Sequence, residues 1–296
     1  MITCRHKKRY TDAHKVSLFF LYKIIFVLSF FLMPVITLTT EWRPDDIYNG
    51  IIKGKLCSLC PGASIIDNAY SIPPFNISHA SFVVRNTFLN YPPGSIHIIC
   101  VHSEAGKDEE YLAIRSKGHY FIGTDNGIFF LILNADPDEI VRIDRTESKD
   151  ELDLYAKAAA DICSGKKLSQ LGKPLDKISE RLPIRATIDK DIIIGSIIFI
   201  DSYGNAISNI TREIFYRVFT GKEFRILIQS NKNFTDHISE SYNDAPVGEL
   251  LARFNTLDLL EISINGENVS ELLSLDVGST IRIDNINKEV QSDQLF

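Results

Sequence analysis

The common signatures of nucleotide binding and hydrolysis are missing: the 296 residues contain no GxGxxG, GxxxxGK[ST], GxSxG or HExxH. A glycine cradle for phosphate, a nucleophile elbow and a helical zinc pair therefore have no basis in the sequence. Cysteine is scarce as well. Five thiols are too few for a disulfide framework in a chain this long, and a reducing compartment fits. Cys57-Ser-Leu-Cys60 is a CxxC, but no second Cys or His pair follows at metal spacing, so it reads as a pair of structural thiols. The seven histidines are scattered without ligand spacing, and no metal is expected. An excess of positive charge is also lacking. Lys and Arg number 32 against 38 Asp and Glu, and a net charge of −6 argues against nucleic acid, which requires clustered cations. What remains is ordinary globular composition, 45% hydrophobic and 24% charged, in a chain long enough for two domains.

The first 34 residues stand apart. Residues 16–33 are strongly apolar with Lys23 as their one charge, and they follow the basic Arg5, Lys7, Lys8 and Arg9. Taken alone this is a signal peptide or membrane anchor. Yet no small-residue cleavage site follows, and a strand-like run starts at Val35 with no linker. The expectation is that translation starts at Met33, that residues 1–32 are an upstream artefact and that the protein is cytoplasmic. Membrane anchoring through residues 16–33 is the alternative.

The rest of the chain is organised around residues 35–54. Val35 to Thr40 alternates apolar and hydroxyl side chains, as a buried strand can, and the pattern breaks at Trp42-Arg43-Pro44. Asp45 reads as an N-cap, and Ile47, Ile51, Ile52 and Leu56 keep helical spacing up to Pro61-Gly62. A strand, an acidic loop and a helix result, and such a loop lies where α/β sheets bind ligands. Glu41, Asp45 and Asp46 would line it, suiting hydroxyls or an ammonium and repelling a phosphate.

Further strands are expected at 63–67, 95–101, 111–114 and 119–122, the last two forming a hairpin closed by Ser116-Lys117-Gly118. Ser78 reads as the cap of a second helix, and an Ala-rich helix lies within 149–164. Apolar periodicity fades over 183–191, which is taken as a linker. Short strands follow at 192–200, 225–229, 249–254, 260–264 and 280–284, before a polar tail at 287–296. The fold class is an α/β amino-terminal domain (35–182), a central sheet flanked by helices, plus a smaller mainly β carboxyl-terminal domain (192–286). Within the latter, Asp201-Ser-Tyr-Gly-Asn205 combines a carboxylate, an aromatic face and an amide at a strand end. Such a set can stack on and hydrogen-bond a purine, and it can equally be a strand-end turn.

Five segments in order carry a resemblance. Thr39-Thr-Glu-Trp-Arg-Pro-Asp-Asp-Ile-Tyr-Asn-Gly-Ile-Ile-Lys-Gly54 is similar to T-T-D-F-G-x-x-D-x-Y-V-G-x-x-K-G. Ile65-Ile-Asp67 with Ile72-Pro-Pro74 resembles I-V-D then I-P-P, and Gly123-Thr-Asp-Asn-Gly127 resembles G-P-D-N-G. Ile200-Asp-Ser-Tyr-Gly-Asn-Ala-Ile-Ser-Asn-Ile210 resembles I-D-x-F-G-N-x-x-T-N-I, and Leu260-Glu-Ile-Ser-Ile-Asn-Gly266 resembles L-E-I-A-V-N-G. These are motifs of the S-adenosylmethionine hydroxide adenosyltransferase family, relatives of the S-adenosylmethionine-dependent fluorinase and chlorinase. The resemblance implies a homotrimer, with S-adenosylmethionine as substrate, and no cofactor, between the α/β domain of one subunit and the β domain of its neighbour. It places Glu41 on the ribose hydroxyls, Asp46 on the opening motif's second acidic residue, and Phe75 near the ribose. Asp201 falls near the methionine ammonium, Tyr203 and Asn205 on adenine, and Gly266 where backbone reaches the adenine edge.

The water-activating positions differ from the family pattern. Where relatives carry Asp, Arg and His, this chain has His102, Glu109 and Asp150, with Asp153 retained from the H-G-R-D segment. Attack on a sulfonium needs a positioned nucleophile and a base, and the leaving thioether needs no acid. His102 and Asp150 are the candidate base and orienting carboxylate of a hydrolase releasing adenosine and methionine. A non-catalytic adenosyl-binding relative is the alternative, because Glu109 repels a developing hydroxide where an Arg would attract it.

Overall fold

The computed structural model describes residues 34–286 apart from 147 and 149. The apolar run at 16–33 and the tail at 287–296 lie outside the described residues. No helix among the described residues is long and apolar enough to cross a membrane. The chain divides into two compact units, Met1–Arg181 and Leu182–Phe296.

The first unit contains β1 (Val35–Thr40), α1 (Ile47–Leu59), β2 (Ser64–Ala69), α2 (Ile77–Thr87), β3 (Ile96–Cys100), β4 (Tyr111–Ser116) and β5 (His119–Thr124). It continues with α3 (Ile128–Leu133), β6 (Glu139–Ile143), α4 (Glu151–Cys163) and β7 (Gly172–Pro174). Its sheet runs β2-β1-β3-β5-β4-β6-β7, with β2, β1, β3 and β5 parallel and the remainder antiparallel. Alternation in β1 serves both faces. Ile36 and Leu38 join Ile52 and Leu56 of α1 and Tyr155 of α4 in one core layer. Thr37 points the other way and bonds His97 of β3, which packs on Phe88 and Phe121 of the second layer. With β2 on one side of β1 and β3 on the other, the chain reverses direction across the sheet at β1. Ligands of α/β sheets bind outside the carboxyl ends of the strands at such a switch point, here the ends of β1 and β3.

The second unit holds β8 (Thr187–Asp189), β9 (Ile192–Ile200), β10 (Ala206–Thr211), α5 (Arg212–Phe219), β11 (Phe224–Ile228) and β12 (Ser230–Thr235). β13 (Leu250–Phe254), β14 (Leu259–Ile264), α6 (Val269–Leu272) and β15 (Thr280–Asn285) complete it. The strand path is β12-β11-β15-β9-β10-β14-β13, with β8 paired to β9 and every pairing antiparallel. A bridge from Ser239, just past β12, to Arg253 of β13 draws the ends of this path together into a barrel-like sheet.

Several local expectations are corrected. Asp46, not Asp45, caps α1: its side chain accepts from the Tyr48 amide, while Asp45 pairs with Arg43 at 3.2 Å in the open. Asn76, not Ser78, caps α2 through the His79 amide. Residues 187–189 of the expected linker form β8, a hairpin partner of β9 whose turn uses Lys190 at φ 54°. Three residues are too few to show periodicity in sequence. The short α3, Ile-Phe-Phe-Leu-Ile-Leu, carries an apolar run that does not separate helix from strand.

Candidate functional site

The carboxyl end of β1 is braced before any ligand is considered. The Glu41 amide donates to the Cys100 carbonyl at 3.1 Å, and the Asn49 side chain reaches the Arg43 carbonyl. Ser71 and Ile72, beyond β2, donate to the Trp42 and Thr40 carbonyls and tie the next loop to the first. The Glu41 carboxylate then takes one backbone amide on each oxygen: Phe75 at 2.6 Å and His102 at 3.2 Å. The Phe75 and His102 rings meet edge-to-face, with centroids 5.5 Å apart. Phe75 is 68% exposed.

Beyond His102, the loop after β3 is fastened from below. Asn126 donates to the His102 carbonyl at 3.0 Å, and Tyr155 donates to the Ser103 carbonyl at 3.1 Å. The Thr124 hydroxyl bonds the same Ser103 carbonyl and lies 2.8 Å from the Tyr155 hydroxyl. Tyr111 accepts from the Ala105 amide. Burial holds the Tyr155 hydroxyl well above the ordinary tyrosine range, so it stays a neutral donor. Asp125, raised by burial in the same turn, accepts the Ser179 amide and hydroxyl. The Gly123–Gly127 turn thus works as a fastening.

Asp150 is the N-cap of α4, its carboxylate 2.7 Å from the Asp153 amide. Asp153 in turn pairs with Lys55 of α1, and this bond raises the Lys55 ammonium above its ordinary value. Among the described residues no hydrogen bond or ion pair joins His102 to Asp150. Glu109 accepts from the Gly106 amide at 2.8 Å, closing a tight turn. Asp46, Asp150 and Glu109 are therefore each turned onto backbone.

Asp201 in the second unit organises the turn after β9. One oxygen accepts the Tyr203 and Asn205 amides, both at 2.9 Å, and the other accepts the Asn205 side-chain amide at 3.0 Å. Gly204 at φ +81° lets the turn close against Asn268, where an added Cβ would lie 1.9 Å from the Asn268 Oδ1. The outcome is a cavity of about 430 Å³ whose lining includes Tyr203, Asn205, Tyr242, Ile264, Gly266 and Asn268. Tyr203 is 78% exposed and presents its ring, whereas Asn205 is buried with its amide nitrogen taken by Asp201. The Asn205 Oδ1 is left as an acceptor at the cavity wall. Opposite, Tyr242 donates to the buried Glu261 at 2.7 Å and carries the Arg253 guanidinium over its ring. Burial, reinforced by Glu261, pushes the Tyr242 hydroxyl up to about 12.

Of the expected binding residues, the structure brings Tyr203, Asn205 and Gly266 into this cavity, with Asp201 behind them, and brings Glu41, Phe75 and His102 together in the first unit. Sequence reasoning did not find Tyr242, Asn268, Asn126 or Tyr155. Asn268-Val-Ser-Glu271 carries a capping signature that points to a helix start beside Gly266, and Asn268 does cap α6. Tyr242 sits in Ser241-Tyr-Asn-Asp244, which reads as a turn and gives no sign of a cavity wall.

Comparison with known proteins fits this arrangement. The SAM hydroxide adenosyltransferase N-terminal domain matches residues 36–172, and the SAM hydroxide adenosyltransferase C-terminal domain matches residues 195–282. The chain is similar to a protein of Methanocaldococcus jannaschii named (R)-S-adenosyl-L-methionine hydrolase, 26% identical over 85% of this chain and 96% of that one. A fluorinase of Actinopolyspora mzabensis is 20% identical over 84% of this chain and 97% of its own length. Among solved structures, an uncharacterized conserved protein from Thermotoga maritima superposes with a TM-score of 0.76 at 24% identity, covering 85% of this chain and all of that one. With both domain models matched in order over most of its length, the chain belongs to the SAM hydroxide adenosyltransferase family.

Proposed function

We propose that the protein hydrolyses S-adenosylmethionine to adenosine and methionine by attack of water at the 5′ carbon. The observation that carries this reading is the cavity of the second unit, whose lining brings together the exposed Tyr203 ring, the Asn205 amide and Gly266. Adenine needs these three things: a stacking surface, an acceptor for its exocyclic amine and backbone groups along its edge. The relatives named as hydrolases are matched over nearly their full length, which supports the same chemistry here.

Two acceptor positions of the Glu41 carboxylate remain after its backbone bonds, and a vicinal diol fits them. The ribose would lie there, with Phe75 against it and Asp201 on the side of the methionine ammonium. A bond forms between the water oxygen and the 5′ carbon as the carbon–sulfur bond breaks. The sulfonium leaves as a neutral thioether, so the one proton to be managed is the water's, and His102 is the group assigned to take it. Asp150 caps α4, and orienting His102 would require its carboxylate to leave the Asp153 amide. The amino-terminal loops and the carboxyl-terminal cavity come from different subunits of a homotrimer in this reading.

The test is a time course with S-adenosylmethionine, followed by liquid chromatography and mass spectrometry. Equimolar adenosine and methionine above a no-protein control are expected, and His102→Ala should abolish release while binding persists. Saturable binding with no release from the wild-type protein would instead make it a non-catalytic binder.

A further inference from the structure

We infer that Glu41 is a positioning residue, a single carboxylate that holds the loops after β2 and β3 in backbone conformations their own residues disfavour. Phe75 has φ 62° and His102 has φ 49°, both in the left-handed region that non-glycine residues rarely occupy. Strain of this kind persists where surrounding contacts over-determine it. Each of these residues gives its amide to a different oxygen of Glu41. On the far side, Asn126 holds the His102 carbonyl, and the His102 ring packs on Phe75. The strand order explains why one side chain serves both loops. β1 lies between β2 and β3, so the residue following it stands between the loops that leave those two strands.

A carboxylate suits this task because both its oxygens accept, whereas an amide would turn a donor toward one of the two N–H groups. Length matters equally. An aspartate, one methylene shorter, would reach one loop and leave the other amide without a partner. The position thus has a role beyond contact with a ribose: it sets where His102 stands. That consequence for turnover rests on the proposed hydrolase reading, but the clamp itself does not.

Hydrogen exchange on the ligand-free full chain tests it. In Glu41→Asp the amides of Phe75 and His102 should exchange at least about tenfold faster, while the Ile98 amide in β3 keeps its wild-type rate. Unchanged exchange at both loop amides would overturn the proposal. Adding Phe75→Gly to Glu41→Asp should recover part of any loss in melting temperature, because glycine adopts positive φ freely, and no recovery would count against the clamp. In the turnover assay Glu41→Asp should lower kcat about tenfold, with any rise in KM from the ribose contact the smaller effect, as expected for a displaced His102 loop. A raised KM with unchanged kcat would mean that Glu41 serves the ligand alone. Wild-type protein without turnover would remove the hydrolase reading and leave the exchange result standing.

Discussion

In the amino-terminal unit the loop carboxylates face the chain itself: Glu41 holds Phe75 and His102, Asp46 caps α1, Asp150 caps α4 and Glu109 closes a turn. In the carboxyl-terminal unit one carboxylate, Asp201, organises the turn so that Tyr203 and Asn205 face an open cavity. The first region is built from backbone bonds that place loops, and the second from side chains that present a surface. His102, Glu109 and Asp150, where the sequence suggests departures from the family pattern, all lie in the first. Under the proposed function, adenine binding should depend on the carboxyl-terminal cavity, and turnover on the amino-terminal loops that also hold the ribose.

Acid should separate the two units most strongly. His97 and His119 are buried in the first unit, with 3.2 Å between their ring nitrogens. Burial, with the charge of His119 adding to it, lowers His97 from 6.5 to about 3, and burial lowers His119 as well. A depressed histidine contributes stability above its unfolded value and loses it as pH falls, here from 6.5 toward about 3. Each proton taken up across that window removes up to about 1.4 kcal/mol per pH unit. Asp125, raised by burial, acts in the opposite sense and offsets part of the loss. Denaturant midpoints against pH should fall steeply for the first unit, and His97→Asn should flatten the slope. An identical slope in that variant would contradict the assignment.

Gly204→Ala attacks the second region. Its Cβ would fall 1.9 Å from Asn268 Oδ1 at a φ of +81°, so a loss of about 3 kcal/mol is expected in thermal unfolding. A variant as stable as the parent would show that the turn can move. Asn205→Ala should weaken adenosyl-ligand binding by about 2 kcal/mol, roughly 30-fold by calorimetry, since a donor on the ligand loses its acceptor. The smallest effect belongs to Asp150→Ala. Loss of the α4 cap should lower stability by about 1 kcal/mol and leave the ligand's Kd within about twofold. A large change in Kd would break the division between the regions.

How far the sequence disclosed this site follows the same division. Tyr203 and Asn205 stand out because an aromatic and an amide bracket a glycine at a strand end, and chemistry and geometry there share one short segment. The Glu41 clamp joins positions 34 and 61 residues apart, and no local pattern announces a side chain that bonds backbone at that range. Caps sit between these extremes. The Asp45-Asp46 pair offers two candidates one residue apart, and the choice falls to whichever carboxylate reaches the Tyr48 amide. At β8, three residues gain their strand character from β9 beside them, which makes the element a tertiary product.

The central claim is that water attacks the 5′ carbon of a bound adenosyl ligand. Its most direct test is turnover of S-adenosylmethionine in oxygen-18 water, followed by mass spectrometry of the products. The account predicts adenosine that carries one heavy oxygen and unlabelled methionine in equal amount. Unlabelled adenosine, or no adenosine from protein that binds the substrate, would contradict it.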